Sequence, residues 1–215
     1  MKQMEAFDAT ALFLIDDGSQ QIDIDTRIGI FKNNELPIDL RSITNLIHFE
    51  NNLGRPTHND YQGWWRSFFF SIELAKKYNF DKIIHIESDF FIVSERMIEY
   101  IRNVSKGWTA FFCRAHTFPE TAIQIICKDS FSALEELYKN AIEREFKMPQ
   151  IAELYFPFTR IEKKFHGDRL GEAEILEKWL KFIQTPFKLD YIGQVNPSYN
   201  TYDFEGFFEF EHKWD

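Results

Sequence analysis

Apolar and polar residues follow two different periods along this chain, and the switches between them mark a succession of strands and helices. The apolar run Thr10–Ile15 stops at Asp16-Asp17-Gly18-Ser19, the pattern of a strand entering a turn. Ile43–Phe49 predicts a second strand, and the polar stretch with glycine and proline after it predicts a loop. From Trp64 to Tyr78 the positions Trp65, Phe68, Phe69, Ile72 and Ala75 recur at helical spacing, and Asn79 ends that helix. Lys82–Ile86 predicts the next strand. Ser94 is placed to cap a helix running to about Val104, with Gly107 beyond its end. Thr109–Arg114 and Ala122–Cys127 predict two further strands. Ser132-Ala133-Leu134-Glu135 has capping-box form, at or just inside the start of a helix reaching about Glu145. A loop rich in Phe and Pro leads to a last helix with the apolar face Ile175, Leu176, Trp179, Leu180 and Ile183, and Lys188–Ile192 closes as a strand.

Strands alternating with helices imply an α/β fold with a largely parallel sheet, and such sheets bind ligands at the carboxyl ends of their strands. The 215 residues suit one domain, which at that size buries roughly 70% of its unfolded surface and needs no disulfide to hold together. The 24 Phe read mainly as an aromatic core. A formal net charge of -9 argues against a nucleic-acid partner, which calls for a basic stripe. It leaves room for an anionic nucleotide if a metal ion supplies positive charge. Cys113 and Cys127 lie in apolar runs without metal-site spacing and read as buried thiols. With no apolar stretch of about 18 residues and a polar opening Met1–Asp8, the expectation is a cytoplasmic protein with no transmembrane segment. Peripheral membrane contact is compatible with this composition.

The strongest chemical signal is Asp81-Lys-Ile-Ile-His-Ile-Glu-Ser-Asp-Phe-Phe-Ile92. An apolar strand delivers Glu87 and Asp89 to its carboxyl end, and alternation along an extended chain would put both on one side. Two such carboxylates suit a hard cation, Mn²⁺ or Mg²⁺. The acidic triplet Asp23-Ile24-Asp25 lacks that strand-and-helix setting. His85, in the same strand, reads first as a core histidine and otherwise as a group that orients Glu87 by hydrogen bonding. No Gly-rich dinucleotide fingerprint, P-loop or nucleophile elbow is present.

Taken together, three segments resemble the GT-A-type nucleotide-sugar glycosyltransferases. Leu14-Ile-Asp-Asp-Gly-Ser19 is similar to the early strand-to-turn element that contacts the nucleoside. Arg66, followed by Phe80-Asp-Lys-Ile-Ile-His-Ile-Glu-Ser-Asp89, resembles that family's helix, strand and Asp-any-Asp signature. Phe165-His-Gly-Asp-Arg-Leu-Gly-Glu-Ala-Glu174 resembles its later acidic motif facing the acceptor. The resemblance implies a GT-A-like, Rossmann-type sheet flanked by helices in a single catalytic domain over residues 1–215, nucleotide-binding over about 9–105 and acceptor-side over about 106–215. It implies that Asp89 binds the metal and that Glu87, standing where the family usually has Asp, touches the ribose or a metal-bound water. Asp16 and Asp17 would contact base or ribose, and Arg66 the nucleotide or its phosphates. Glu172, Asp168 and Glu174 are the candidates for the base that deprotonates the acceptor, His212 for a further metal ligand, and His166 for a phosphate contact.

The expected activity is metal-dependent transfer of a sugar, of the hexosyl type, from a nucleoside-diphosphate sugar to a hydroxyl of a glycan or glycoconjugate. A sugar-phosphate nucleotidyltransferase shares the nucleotide-binding architecture, but its Gly-rich loop with Arg is absent from Met1–Ser19. The non-enzymatic alternative is a glycan-binding or assembly module.

Overall fold

The computed structural model describes residues 2–20, 27–40, 43–57, 60–114, 116–169 and 189–194. It divides into two compact units that interleave along the chain: Met1–Ile83 with Cys127–Pro157, and Ile84–Ile126 with Phe158–Asp215. Both units draw on residues before and after position 105. The predicted helix around Ile175–Ile183 lies outside the described residues.

In the first unit a short helix, α1 (Lys2–Ala6), precedes three strands, β1 (Leu12–Asp16), β2 (Gly29–Lys32) and β3 (Thr44–His48). They form a wholly parallel sheet in the order β1-β3-β2, with Ile15, Ile47 and Phe31 aligned in one row and Asp16, His48 and Lys32 in the next. Period-2 alternation sends these rows to opposite faces. The Ile47 face builds the core: Ile47, Phe49, Phe70 and Leu74 are buried together, with Phe13, Ile15, Phe31, Leu36 and Tyr78 packed on them.

Phe70 and Leu74 belong to α2 (Gln62–Lys77), whose aromatic residues sit at helical spacing and whose last turn carries Lys76 and Lys77, cations suited to the negative end of the helix dipole. The helix ends as predicted at Asn79, which takes a left-handed φ of 52°, while Phe80 N–H donates back to the Ala75 carbonyl at 2.9 Å. Trp64 stacks on Phe68 at a centroid separation of 5.3 Å, and Phe156 meets Phe68 at a tilt at 4.7 Å. The phenylalanines seen here are core residues, as expected. A 3-10 turn (Lys128–Ser130) leads into α4 (Phe131–Glu143), joined to α2 by the Lys76–Glu135 ion pair at 2.7 Å. Ser132 lies inside this helix and Ser130 is its N-cap. A final short helix, α5, spans Ala152–Tyr155.

The second unit holds two sheets. β4 (Lys82–Ile86), β7 (Phe118–Cys127), β6 (Trp108–Cys113) and β8 (Arg160–Glu162) are paired in that order. β6 is antiparallel to β7 and parallel to β8. Glu87 N–H donates to the Ala122 carbonyl and Lys128 N–H to the Asp81 carbonyl, each at 2.9 Å, so β4 and β7 also run antiparallel. The other sheet orders β5 (Phe91–Ile92), β10 (Tyr191–Ile192) and β9 (Gly167–Asp168). The α/β class and the parallel pairing of β1-β3-β2 follow the sequence expectation. The expected single central sheet becomes three among the described residues, because β7 turns back on β6 as a hairpin instead of crossing over through a helix.

α3 (Glu95–Asn103) begins where the sequence placed it, with Ser94 Oγ accepting from Met97 N–H at 3.3 Å. It buries Met97 and Ile101, and Tyr100 meets Phe111 and Phe165 edge-on or tilted. Trp108, Phe111, Ile123, Ile125 and Tyr191 are among the fully buried residues of this unit. Gly167 is required by close packing: a Cβ there would lie 2.4 Å from the Tyr191 ring. No helix among the described residues is long and apolar enough to cross a membrane.

Candidate functional site

The second unit carries the Asp89 group. Strand pairing of β4 stops at Glu87, and Phe90 N–H then donates to the Glu87 carbonyl at 3.1 Å, closing a four-residue turn. Glu87 and Asp89 therefore sit in a turn, and the expectation that extended alternation aligns them does not hold. Opposite this turn β7 is irregular. Its register jumps from Ala110↔Gln124 to Phe111↔Glu120, a bulge of the kind that re-aims side chains beside sites. Within it Glu120 accepts from Ala122 N–H at 3.0 Å.

Glu120 is 1% exposed and is paired bidentately with buried Arg169, Nε to Oε2 at 2.8 Å and Nη2 to Oε1 at 3.1 Å. The Arg169 guanidinium also lies 4.9 Å from the Phe118 ring. Asp89 feels both partners. Burial raises its carboxyl above the usual range; its own backbone N–H lowers it, the Glu120 charge raises it and the Arg169 charge lowers it. Asp89 Oδ1 is shut off from solvent with no hydrogen-bond partner. A buried carboxylate oxygen without a donor is costly, and it is relieved by a proton or a cation.

One nearby anchor was not read from the sequence. Asp190, 1% exposed, accepts from Ser94 Oγ at 2.5 Å, Arg96 Nε at 2.6 Å and the His166 backbone N–H at 2.6 Å. It ties the start of α3 to the segment before β9. Asp168 is paired through its backbone with Ile192, next to Arg169. Glu172, Glu174 and His212 lie outside the described residues. His85 in β4 has its imidazole pushed down to about 4 by burial, which keeps it neutral at physiological pH, in keeping with a core histidine.

The first unit carries the Asp16–Asp17–Arg66 group at the carboxyl end of β1. Asp17 Oδ2 accepts from Leu53 N–H at 3.0 Å and Gly54 N–H at 2.7 Å. Its Oδ1 accepts from Arg66 Nη2, which also donates to the Asn51 carbonyl at 2.5 Å. The Arg66 guanidinium lies 4.1 Å from the Phe49 ring. Asp17 is thus seated against the first turn of α2, where negative charge complements the helix dipole. A Cβ on Gly63 would come within 2.1 Å of Asp17 Oδ2, so this approach needs a glycine. Asp17 and Arg66 clamp the loop 51–54 to the helix start.

Asp16 is equally occupied, by Ser19, Gly18 and His48. Burial pushes its carboxyl up, but the donors from Ser19, His48 and Gly18 outweigh this and hold it below the usual range. His48 had no signal in the sequence, since it stands 32 positions from Asp16 and meets it only through strand pairing. Among the described residues no group of three or more His, Cys, Asp or Glu is arranged to hold a metal by itself.

No protein-family model matches this chain, and no curated protein matches it. Among solved structures it is similar to one described as the crystal structure of a glycosyltransferase involved in the glycosylation of the major capsid of PBCV-1, with 11% sequence identity, a TM-score of 0.44, and coverage of 71% of this chain and 81% of that one. A likeness of that degree carries no argument about chemistry, which rests on the residues themselves.

Proposed function

We propose that this chain is a metal-dependent glycosyltransferase of GT-A type that takes a nucleoside-diphosphate sugar and passes its sugar, of the hexosyl class, to a hydroxyl of a glycan or glycoconjugate. The observation that carries the reading is Asp89, a carboxylate at the end of an apolar strand with a buried, unpartnered Oδ1 and the like charge of Glu120 beside it. Such a group calls for a cation, and its oxygen donors match Mg²⁺ or Mn²⁺. Asp89 would hold the ion, with Glu87 assisting directly or through water. A protein share of one or two carboxylates is the usual pattern when substrate phosphates and water complete the shell. When bound, the ion supplies neutralisation of the departing diphosphate.

The chain's own residues do the remainder. The buried Glu120–Arg169 pair sets the field around Asp89. The turn at Asp16 and Asp17, clamped by Arg66, shapes the nucleoside side. One of Glu172, Asp168 and Glu174 takes the acceptor's proton as its oxygen attacks. His212 is a further candidate ligand for the ion and His166 a candidate phosphate contact.

The test is a panel of nucleotide sugars in a thermal-shift assay with and without Mn²⁺. Ligands that bind only the folded state raise its melting temperature in proportion to ln(1 + [L]/Kd). Stabilisation by a subset of the panel, dependent on Mn²⁺ or Mg²⁺, supports the reading. No stabilisation by any nucleotide sugar with either ion overturns it.

A further inference from the structure

The carboxyl end of β1 was expected to offer aspartates to a nucleoside, yet the Asp16 carboxylate already accepts four hydrogen bonds. Its Oδ1 takes Ser19 Oγ at 2.5 Å. Its Oδ2 takes Gly18 N–H at 3.1 Å, Ser19 N–H at 2.9 Å and His48 Nδ1 at 2.7 Å. Three donors crowd Oδ2 and one takes Oδ1, so most of the roughly four lone-pair sites of this carboxylate are used by its own turn and by His48. The ionised carboxylate has no proton to give, so Nδ1 of His48 carries the hydrogen of that bond, and in the neutral ring Nε2 carries the free lone pair. An imidazole oriented through one nitrogen by a carboxylate, with the other nitrogen free, is a pre-set hydrogen-bond acceptor.

The position fits this role. His48 ends the central strand of a parallel sheet and stands in one row between Asp16 and Lys32, where ligands of open α/β sheets bind. Its side chain is 25% exposed, and no described residue hydrogen-bonds to Nε2. The neighbouring cation is already engaged, since Lys32 pairs with Glu50 at 2.8 Å. The row behind holds Leu14 and Ile30, 41% and 54% exposed, on either side of buried Leu46.

We propose that His48 Nε2 is a group this sheet end presents to the nucleoside, accepting a hydrogen bond from a ribose hydroxyl or a base N–H, with Asp16 as its positioning residue. This assignment rests on the nucleotide-binding reading above and names the contact that reading left to the aspartates.

The test combines calorimetry and nitrogen NMR on the full chain at pH 8, with UDP, GDP, CDP and ADP as probes in the presence of diamagnetic Mg²⁺. Long-range ¹H–¹⁵N spectra should show His48 protonated at Nδ1, and its Nε2 resonance, assigned by its loss in His48→Gln, should move when a bound diphosphate is added. His48→Asn places an amide near the Nδ1 position but nothing at Nε2, and should weaken binding at least tenfold with an unchanged melting temperature. His48→Gln reaches the Nε2 position and should recover most of that loss. Binding by wild type with an unmoved Nε2 resonance, or equal affinity in His48→Asn, overturns the proposal. Should His48→Asn fail to fold, the wild-type spectra decide alone. If wild type binds none of the four probes, the nucleotide reading itself has failed and the assignment falls with it.

Discussion

Replacing Asp190 by alanine should cost the fold far more than removing the arginine that pairs with it. Asp190 is 1% exposed, whereas Arg96 is 53% exposed. Loss of the carboxylate strands two groups that cannot reach water easily, Ser94 Oγ and the His166 N–H. Each buried donor left unsatisfied costs about 1–3 kcal/mol, so the two together put the loss in Asp190→Ala at about 2–6 kcal/mol. Arg96→Ala removes a cation that water solvates readily, and exposed pairs are worth about 0–1 kcal/mol. Urea denaturation read through the fluorescence of buried Trp108 gives both numbers, with the slope compared between variants to confirm that the same surface unfolds. Equal losses in the two variants, or a loss below about 1 kcal/mol in Asp190→Ala, would refute the view that Asp190 acts as a buried hydrogen-bond hub rather than as half of an ion pair.

Three other outcomes follow from the same geometry. Gly63→Ala forces a methyl into the space of Asp17 Oδ2 and should destabilise by about 1–3 kcal/mol, measurable as a lowered urea midpoint. His85 is held neutral by a pKa near 4 in the fold against about 6.5 when unfolded. The unfolded chain therefore binds the extra proton first, and stability should fall as pH drops from about 6.5 toward about 4. A His85→Gln variant titrated across that window should show a flatter profile. Asp89 has a raised carboxyl in the fold, so its ionisation opposes folding as pH rises through that range, and Asp89→Asn should leave the ion-free protein at least as stable as wild type at pH 7 by thermal melting.

The sequence was most informative where periodicity and local chemistry agreed. β4 at Lys82–Ile86 and the Ser94 cap of α3 stand where the residues put them, because an apolar run and a serine at a helix start act through neighbours in the chain. β10, at Tyr191–Ile192, lies inside the strand expected at Lys188–Ile192, but β5 and β9 are two residues long and β2 has only four. Segments that short carry no period to read, and they exist because partner strands supply their hydrogen bonds. The site shows the same division. Asp16, Asp17 and Asp89 were visible as acids at strand ends. That Asp16 is filled by His48, and Asp17 by Arg66, depends on contacts 32 and 49 positions apart. Glu120 and Arg169 are likewise 49 apart, and only the bulge in β7 brings Glu120 into play. A charge just before the apolar run Ala122–Cys127 was the one signal that could have pointed to it.

The central claim is that Asp89 holds a divalent cation which recruits a nucleotide sugar. It is tested most directly by isothermal titration of wild type and Asp89→Asn with nucleoside-diphosphate sugars, in Mn²⁺ and again in excess chelator. The account predicts that wild type binds at least one donor in Mn²⁺, that chelation removes this binding, and that Asp89→Asn, folded and at least as stable, does not bind with or without the ion. Donor binding that is indifferent to chelator and unchanged in Asp89→Asn would contradict it.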